Sequence, residues 1–185
     1  MLSISFIITD IPGFISDSLF ILCANLLVVL QHSLTNLEKP GILTMANIHF
    51  FFHGVSITLD NRSKLKHFIA DLFRSEKRKL KSLQYVFCSD EYLLEINRQY
   101  LQHDFYTDII SFELGDSFVT EGEIYISVDR IRENAGILGK TIKEELHRVI
   151  FHGALHLCGY KDKLKKDQLE MRKKEDRYLQ KYFKL

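Results

Sequence analysis

From Ile48 onward the apolar positions change period several times, and each change marks an element. Ile48–Phe52 and Val55–Leu59 are rich in β-branched and aromatic residues, with Gly54 between them as a break or bulge, and both read as strands. Asp60 or Asn61 then caps a helix on which Leu65, Phe68, Ile69, Leu72 and Phe73 recur at helical spacing, the stripe of a core-facing helix. Leu83–Cys88 is a short strand, and Ser89-Asp90 caps a helix carrying Tyr92, Leu93, Ile96 and Tyr100. Ile109–Leu114 and Glu123–Ser127 are further strands, separated by Gly115 and a polar loop ending at Gly122. Asp129–Leu138 is helical and stops at Gly139. Thr141 caps a long helix through about Leu157, with Glu144 and Glu145 in the first turn, where the helix dipole favours acids. Gly159 ends that helix, and a last amphipathic helix runs from about Lys165 to Tyr182, with Met171 and Tyr178 as core contacts. Strands interleaved with helices predict an α/β (α+β) domain, a small mixed sheet of about four strands covered mostly on one face.

Composition divides the chain at Met45. The protein has 185 residues, 46% apolar, with 25 basic and 24 acidic side chains, a balance that supports a buried core and excludes a strongly basic arm. Residues 1–44 hold one basic residue, Lys39, and three acids, so the remainder carries a net charge of +3. The apolar run Ser18–Leu30 spans 13 residues with Asn25 inside it. A bilayer crossing needs about 20, and the basic flank and cleavage site of a signal peptide are missing, so no stable membrane insertion is expected. Residues 1–44 read as an extension: either an extra amphipathic helix or the result of a start codon placed too far upstream. The second is favoured because Met45 opens the first strand, and a truncation lacking 1–44 is expected to stay folded and active. Cys23, Cys88 and Cys158 are odd in number, widely spaced and lack a CxxC pair. They suit a reducing cytosol and offer no thiolate-only zinc site.

The sharpest chemistry lies in His152-Gly-Ala-Leu-His156-Leu-Cys-Gly-Tyr-Lys-Asp162. Residues i and i+4 of a helix point the same way, so His152 and His156 can chelate one metal ion. Gly159 can reverse the chain at positive φ and swing Asp162 back toward the pair. Two histidines and a carboxylate, with a fourth position left to water, make a catalytic zinc site rather than a closed structural one. An isolated HxxxH is often a surface coincidence; the helix-ending glycine and the following acid weigh against that here. A peptidase of the HExxH type carries its general base beside the first histidine, and Gly153 stands there instead. Asp108 is a candidate for orienting a ligand histidine, or else caps the start of its strand. His147 lies about 140° round the helix from His152 and is read as a surface or core-edge residue; Cys158 is read as packing. Residues 60–81 and 161–185 each carry a net charge of +5. They would either track a phosphate backbone or form two solvated helix faces.

The same stretch resembles the YbeY family of single-strand-specific metallo-endoribonucleases, whose hallmark reads HGxLHLxGYDH. His152, Gly153, Leu155, His156, Leu157, Gly159 and Tyr160 match it. Asn97-Arg-Gln-Tyr100 with Thr107-Asp108-Ile-Ile-Ser111-Phe112 resembles the family's second block, and Gly122-Glu-Ile-Tyr-Ile-Ser127 its strand before the third helix. The resemblance covers Met45 to the C-terminus. Two positions depart from it. Asp162 stands where the family usually has its third histidine ligand, after Lys161 in place of Asp; carboxylate oxygen still suits zinc at about 2.0–2.2 Å and biases the site toward harder metals. Leu101 stands where the family commonly has an arginine suited to clamp phosphate, and Arg98 or Lys161 are the available substitutes.

The resemblance implies a cytoplasmic endoribonuclease holding one Zn2+ per chain through His152, His156 and Asp162. It would cleave single-stranded RNA, with 16S ribosomal RNA 3′-end maturation and ribosome quality control as its task. The small ribosomal subunit or its assembly factors are the implied partners. A metallopeptidase-like hydrolase and a non-catalytic ribosome-associated metal-binding factor are the alternatives.

Overall fold

The structure is a computed structural model and describes residues 7–8, 46–115 and 119–184. In chain order the elements are β1 (Ile7–Ile8), β2 (Asn47–Phe52), α1 (Arg62–Ser75), β3 (Leu80–Cys88), α2 (Asp90–Leu101), β4 (Ile109–Glu113), β5 (Thr120–Ser127), α3 (Val128–Leu138), α4 (Ile142–Leu157) and α5 (Lys165–Phe183). The sheet order is β1-β4-β5-β3-β2. β2, β3 and β5 are parallel neighbours, β4 runs antiparallel to β5, and the two-residue β1 lies parallel to β4. The mixed sheet is the expected one, with β1 as a short addition to its four main strands. The apolar run Ser18–Leu30 and Cys23 lie outside the described residues; of the leader, residues 1–44, only Ile7–Ile8 is described, as β1. No helix among the described residues is long and apolar enough to cross a membrane.

Side-chain alternation along β3 sorts the two faces. Leu83, Tyr85 and Phe87 enter the larger core, whereas Val86 and Cys88 enter a smaller cluster with Ile110, Phe112 and Tyr125. α1, α3, α4 and α5 contribute to the larger core and α2 to the smaller, so the sheet is covered mostly on one face, as expected. On α1 the predicted stripe is buried at Leu65, Ile69, Leu72 and Phe73, each burial worth roughly 1.5–3 kcal/mol. Asn61 is the cap, its side chain accepting from the Lys64 amide.

Val55–Leu59 departs from expectation: it is not a strand. β2 is an edge strand, Gly54 turns the chain at φ +65°, and the segment finds no partner ladder. Its β-rich side chains serve as packing instead, with Leu59 buried and Val55 and Ile57 against the larger core.

Glycine sets how closely α4 approaches the sheet. A Cβ at Gly153 would stand 2.8 Å from Ile109 Cδ1 and 2.9 Å from Ile124 Cγ2, and one at Gly122 would meet Leu157 Cδ1 at 2.7 Å. The helix therefore lies with its backbone against β4 and β5, which fixes the height and azimuth of His152 and His156.

Candidate metal centre

α4 begins with a capping box: the Thr141 hydroxyl accepts from the Glu144 amide and the Glu144 carboxylate from the Thr141 amide. The helix ends at Cys158, and Gly159 at φ +99° reverses the chain. The Gly159 amide donates to His156 O and the Tyr160 amide to Leu155 O. This turn returns Asp162 to the histidine pair. His152 Nε2 and His156 Nε2 lie 2.9 Å apart, and Asp162 Oδ2 is 3.7 and 3.6 Å from them. All three residues are buried.

The partners of the other ring nitrogens fix the tautomers. His156 Nδ1 lies 2.8 Å from Tyr160 O, an oxygen that can only accept, so Nδ1 carries the proton. His152 Nδ1 lies 2.6 Å from Glu175 Oε1 on α5. Burial pushes the Glu175 carboxyl up, but the bond from His152 and the Arg148 guanidinium hold it below the usual range. It is an ionised acceptor, and His152 Nδ1 is also protonated. In a neutral imidazole protonated at Nδ1 the lone pair is on Nε2, and here the two Nε2 atoms face each other and Asp162 Oδ2, which is buried without a hydrogen-bond partner. Tetrahedral ligation at 2.0–2.2 Å sets donor atoms about 3.3–3.6 Å apart, and the observed separations bracket that value. The donor set fits a divalent cation, and each imidazole carries the outer acceptor that metal-bound histidines commonly have.

Glu175 was not legible as a site residue in the motif, and it takes the role proposed for Asp108. Its signal is positional: an acid on the buried stripe Met171, Glu175, Tyr178, Tyr182 of α5. Asp108 is buried 3.7 Å from Arg148 Nη2, and its carbonyl accepts from the Ser127 amide. Arg148 lies one turn before His152. Its guanidinium makes two bonds to Glu145, 2.8 and 2.7 Å, and reaches Glu175 Oε2 at 3.5 Å. These carboxylates raise its pKa against the lowering effect of burial.

The remaining candidates separate from the pair. Arg98 is exposed and bonds Asp104 at 2.6 Å. Lys161 is exposed beside Asp162. Leu101 is half-buried against the smaller core, so the side chain in the family's arginine position is used for packing. His147 is buried, stacked on Tyr182 at 4.8 Å between ring centroids, and burial lowers its pKa. Burial pushes the Cys158 thiol up to about 12, which suits a packing residue. The two basic segments are joined: Lys64 Nζ donates to Tyr182 O and Lys174 Nζ to Glu76.

A family model described as endoribonuclease YbeY matches residues 52–183. An endoribonuclease YbeY of Cytophaga hutchinsonii is 46% identical over 130 residues, 70% of this chain and 91% of that protein. One from Porphyromonas gingivalis is 43% identical over 135 residues, covering 73% and 89%. A solution structure of a Thermotoga maritima protein is similar at 26% identity over 74% of this chain and 89% of that one, with a TM-score of 0.49. The match extends well beyond the histidine motif, through strands β3 to β5 and all five helices, and the chain belongs to the endoribonuclease YbeY family.

Proposed function

We propose that this protein is a zinc-dependent endoribonuclease that cleaves phosphodiester bonds of single-stranded RNA. Its cellular task would be 16S ribosomal RNA 3′-end maturation in the cytoplasm, with the small ribosomal subunit or its assembly factors as partners. The observation that carries the reading is the convergence of three buried lone pairs, from His152, His156 and Asp162, in a chain of this family. A divalent cation bound there supplies Lewis-acid polarisation of a phosphoryl oxygen and activates an attacking water. Glu175 and the Tyr160 carbonyl hold the imidazoles in the ligating tautomer, and Asp162 adds the anionic donor. Exposed basic side chains on α1 and α5, which pack together through Phe68 and Tyr182, support a phosphate-binding face. Gly153 beside His152 leaves no carboxylate where an HExxH peptidase has its base, which disfavours peptide hydrolysis.

Metal analysis and RNA cleavage by wild type and His156→Ala test the proposal. The expected result is about one zinc per wild-type chain and cleavage by the wild type alone. Equal cleavage by both proteins would trace the activity to a contaminating nuclease. Casein hydrolysis would support the peptidase reading, and chelator-induced unfolding without cleavage of RNA would support a metal-stapled, non-catalytic factor.

A further inference from the structure

Tyr160 contributes to two networks at once. Its carbonyl accepts from His156 Nδ1, and its hydroxyl donates at 2.7 Å to Glu76 Oε2, far away in the sequence at the end of α1. Glu76 also accepts from Lys174 Nζ at 2.7 and 3.0 Å and from the Tyr178 hydroxyl. Lys174 is the chain neighbour of Glu175, whose carboxylate holds His152. One carboxylate is therefore bonded both to the residue that orients His156 and to the residue beside the one that orients His152. We infer that Glu76 is a positioning residue for the metal centre: it ties the Tyr160 loop and the α5 helix to the end of α1 and so fixes both ligand imidazoles and Asp162. This inference rests on the metal-binding reading of His152, His156 and Asp162.

The anchor is suited to the task. Glu76 caps α1, and its backbone amide donates to Leu72 O, so its carboxylate projects from the end of a helix buried along four core residues. Its side chain is only 9% exposed, and its two oxygens take four donor contacts, about the full capacity of a carboxylate. Lys174 Nζ additionally lies over the Tyr160 ring, 4.7 Å from its centroid. The segment from Gly159 to Leu164 has no regular secondary structure of its own. Its backbone bonds to α4 end at Tyr160, two residues short of Asp162. Glu76 is thus the carboxylate shared by that segment, through Tyr160, and by α5, through Lys174 and Tyr178.

The test uses Co2+ as a spectroscopic probe on the full-length protein. Wild type, Glu76→Gln, Tyr160→Phe and Ile69→Val are compared by Co2+ affinity, visible absorption bands and metal-free melting temperature. Ile69→Val loosens the core side of α1 without touching the network. Glu76→Gln is expected to weaken Co2+ binding about tenfold or more and to shift the bands; Tyr160→Phe should do so by a few-fold. Ile69→Val should lower the melting temperature and leave affinity and bands unchanged. Wild-type affinity and bands in both network variants would overturn the inference alone, as would the same shift in Ile69→Val. If Glu76→Gln fails to fold, Tyr160→Phe, which removes a single hydroxyl, decides the matter by the same criteria. A wild type that takes up no Co2+ overturns the metal reading and this inference with it.

Discussion

Two carboxylates, the half-buried Glu76 and the buried Asp162, stand on either side of Tyr160 and are treated in opposite ways. Glu76 is saturated: two tyrosine hydroxyls and an ammonium group occupy its oxygens. Asp162 is starved: Oδ2 is buried with no hydrogen-bond partner, 3.7 and 3.6 Å from the two imidazole Nε2 atoms. Burying a charge uncompensated is expensive, so each environment must be completed somehow. Glu76 is completed by the fold itself, whereas Asp162 would be completed by the cation of the proposed metal site. On the proposed reading, the contrast separates a carboxylate that builds the site from one that would ligate the cation. It holds only if removing donors harms the saturated group while removing charge relieves the starved one.

The largest effect is expected at Arg148, the cation that completes the other saturated acids. Arg148→Met leaves Glu145, 1% exposed, together with Glu175 and Asp108 without their shared guanidinium. Uncompensated buried charge of this kind costs about 3–5 kcal/mol, to be read from denaturant unfolding of the metal-free protein. A loss below about 1 kcal/mol would mean that saturation is not what these acids need. Next in size is His156→Ala, which removes one of the three proposed ligands outright. Metal affinity should fall beyond the roughly 10–100-fold typical of losing an outer partner, with RNA cleavage falling to background. Retention of wild-type zinc stoichiometry and affinity would remove His156 from the centre.

How much of this was legible in the sequence depends on the range of the contact. The helices of residues 62–183 followed from periodicity and caps, and the His152–Asp162 turn followed from helical spacing and one glycine, because those are local features. Val55–Leu59 was misread since β propensity shows that a segment suits a pleated surface, not that a neighbouring strand exists. Glu175, Arg148 and Glu76 were missed for a related reason. Their roles depend on which helices pack together, and Glu76 lies 84 residues from Tyr160. Only Glu175 and Glu145 left a trace, as acids on otherwise core-facing helix positions.

Asp162→Asn sharpens the contrast with a change of sign. The amide keeps the shape, removes the charge, and offers N–H donors to the two Nε2 lone pairs. Metal affinity should fall, while the metal-free protein is expected to be stabilised by about 1 kcal/mol as the converging lone pairs gain a donor. Thermal melts with chelator and with added zinc would show opposite shifts. A metal-free variant less stable than wild type would mean that Asp162 has a structural partner and is not starved.

The smallest effect concerns protons at Glu76. Burial raises its pKa, but the bonds from Lys174, Tyr178 and Tyr160 outweigh that and hold it below the ordinary glutamate value. In the unfolded chain those donors are gone, so the unfolded state binds its proton first as the pH falls. The stabilisation from an ionised Glu76 is therefore fully present above the unfolded value and is lost as the pH drops through the folded one. Glu76→Gln has no such group, so subtracting its unfolding free energy from that of the wild type isolates this titration from every other acid. The difference should be level near neutral pH and shrink below about 4.3. A difference that stays constant into acid, or widens, would show that the ionised form is not what the tyrosines and Lys174 stabilise. Glu76 would then be a hydrogen-bonding spacer whose charge is incidental, and the contrast with Asp162 would reduce to a count of donors.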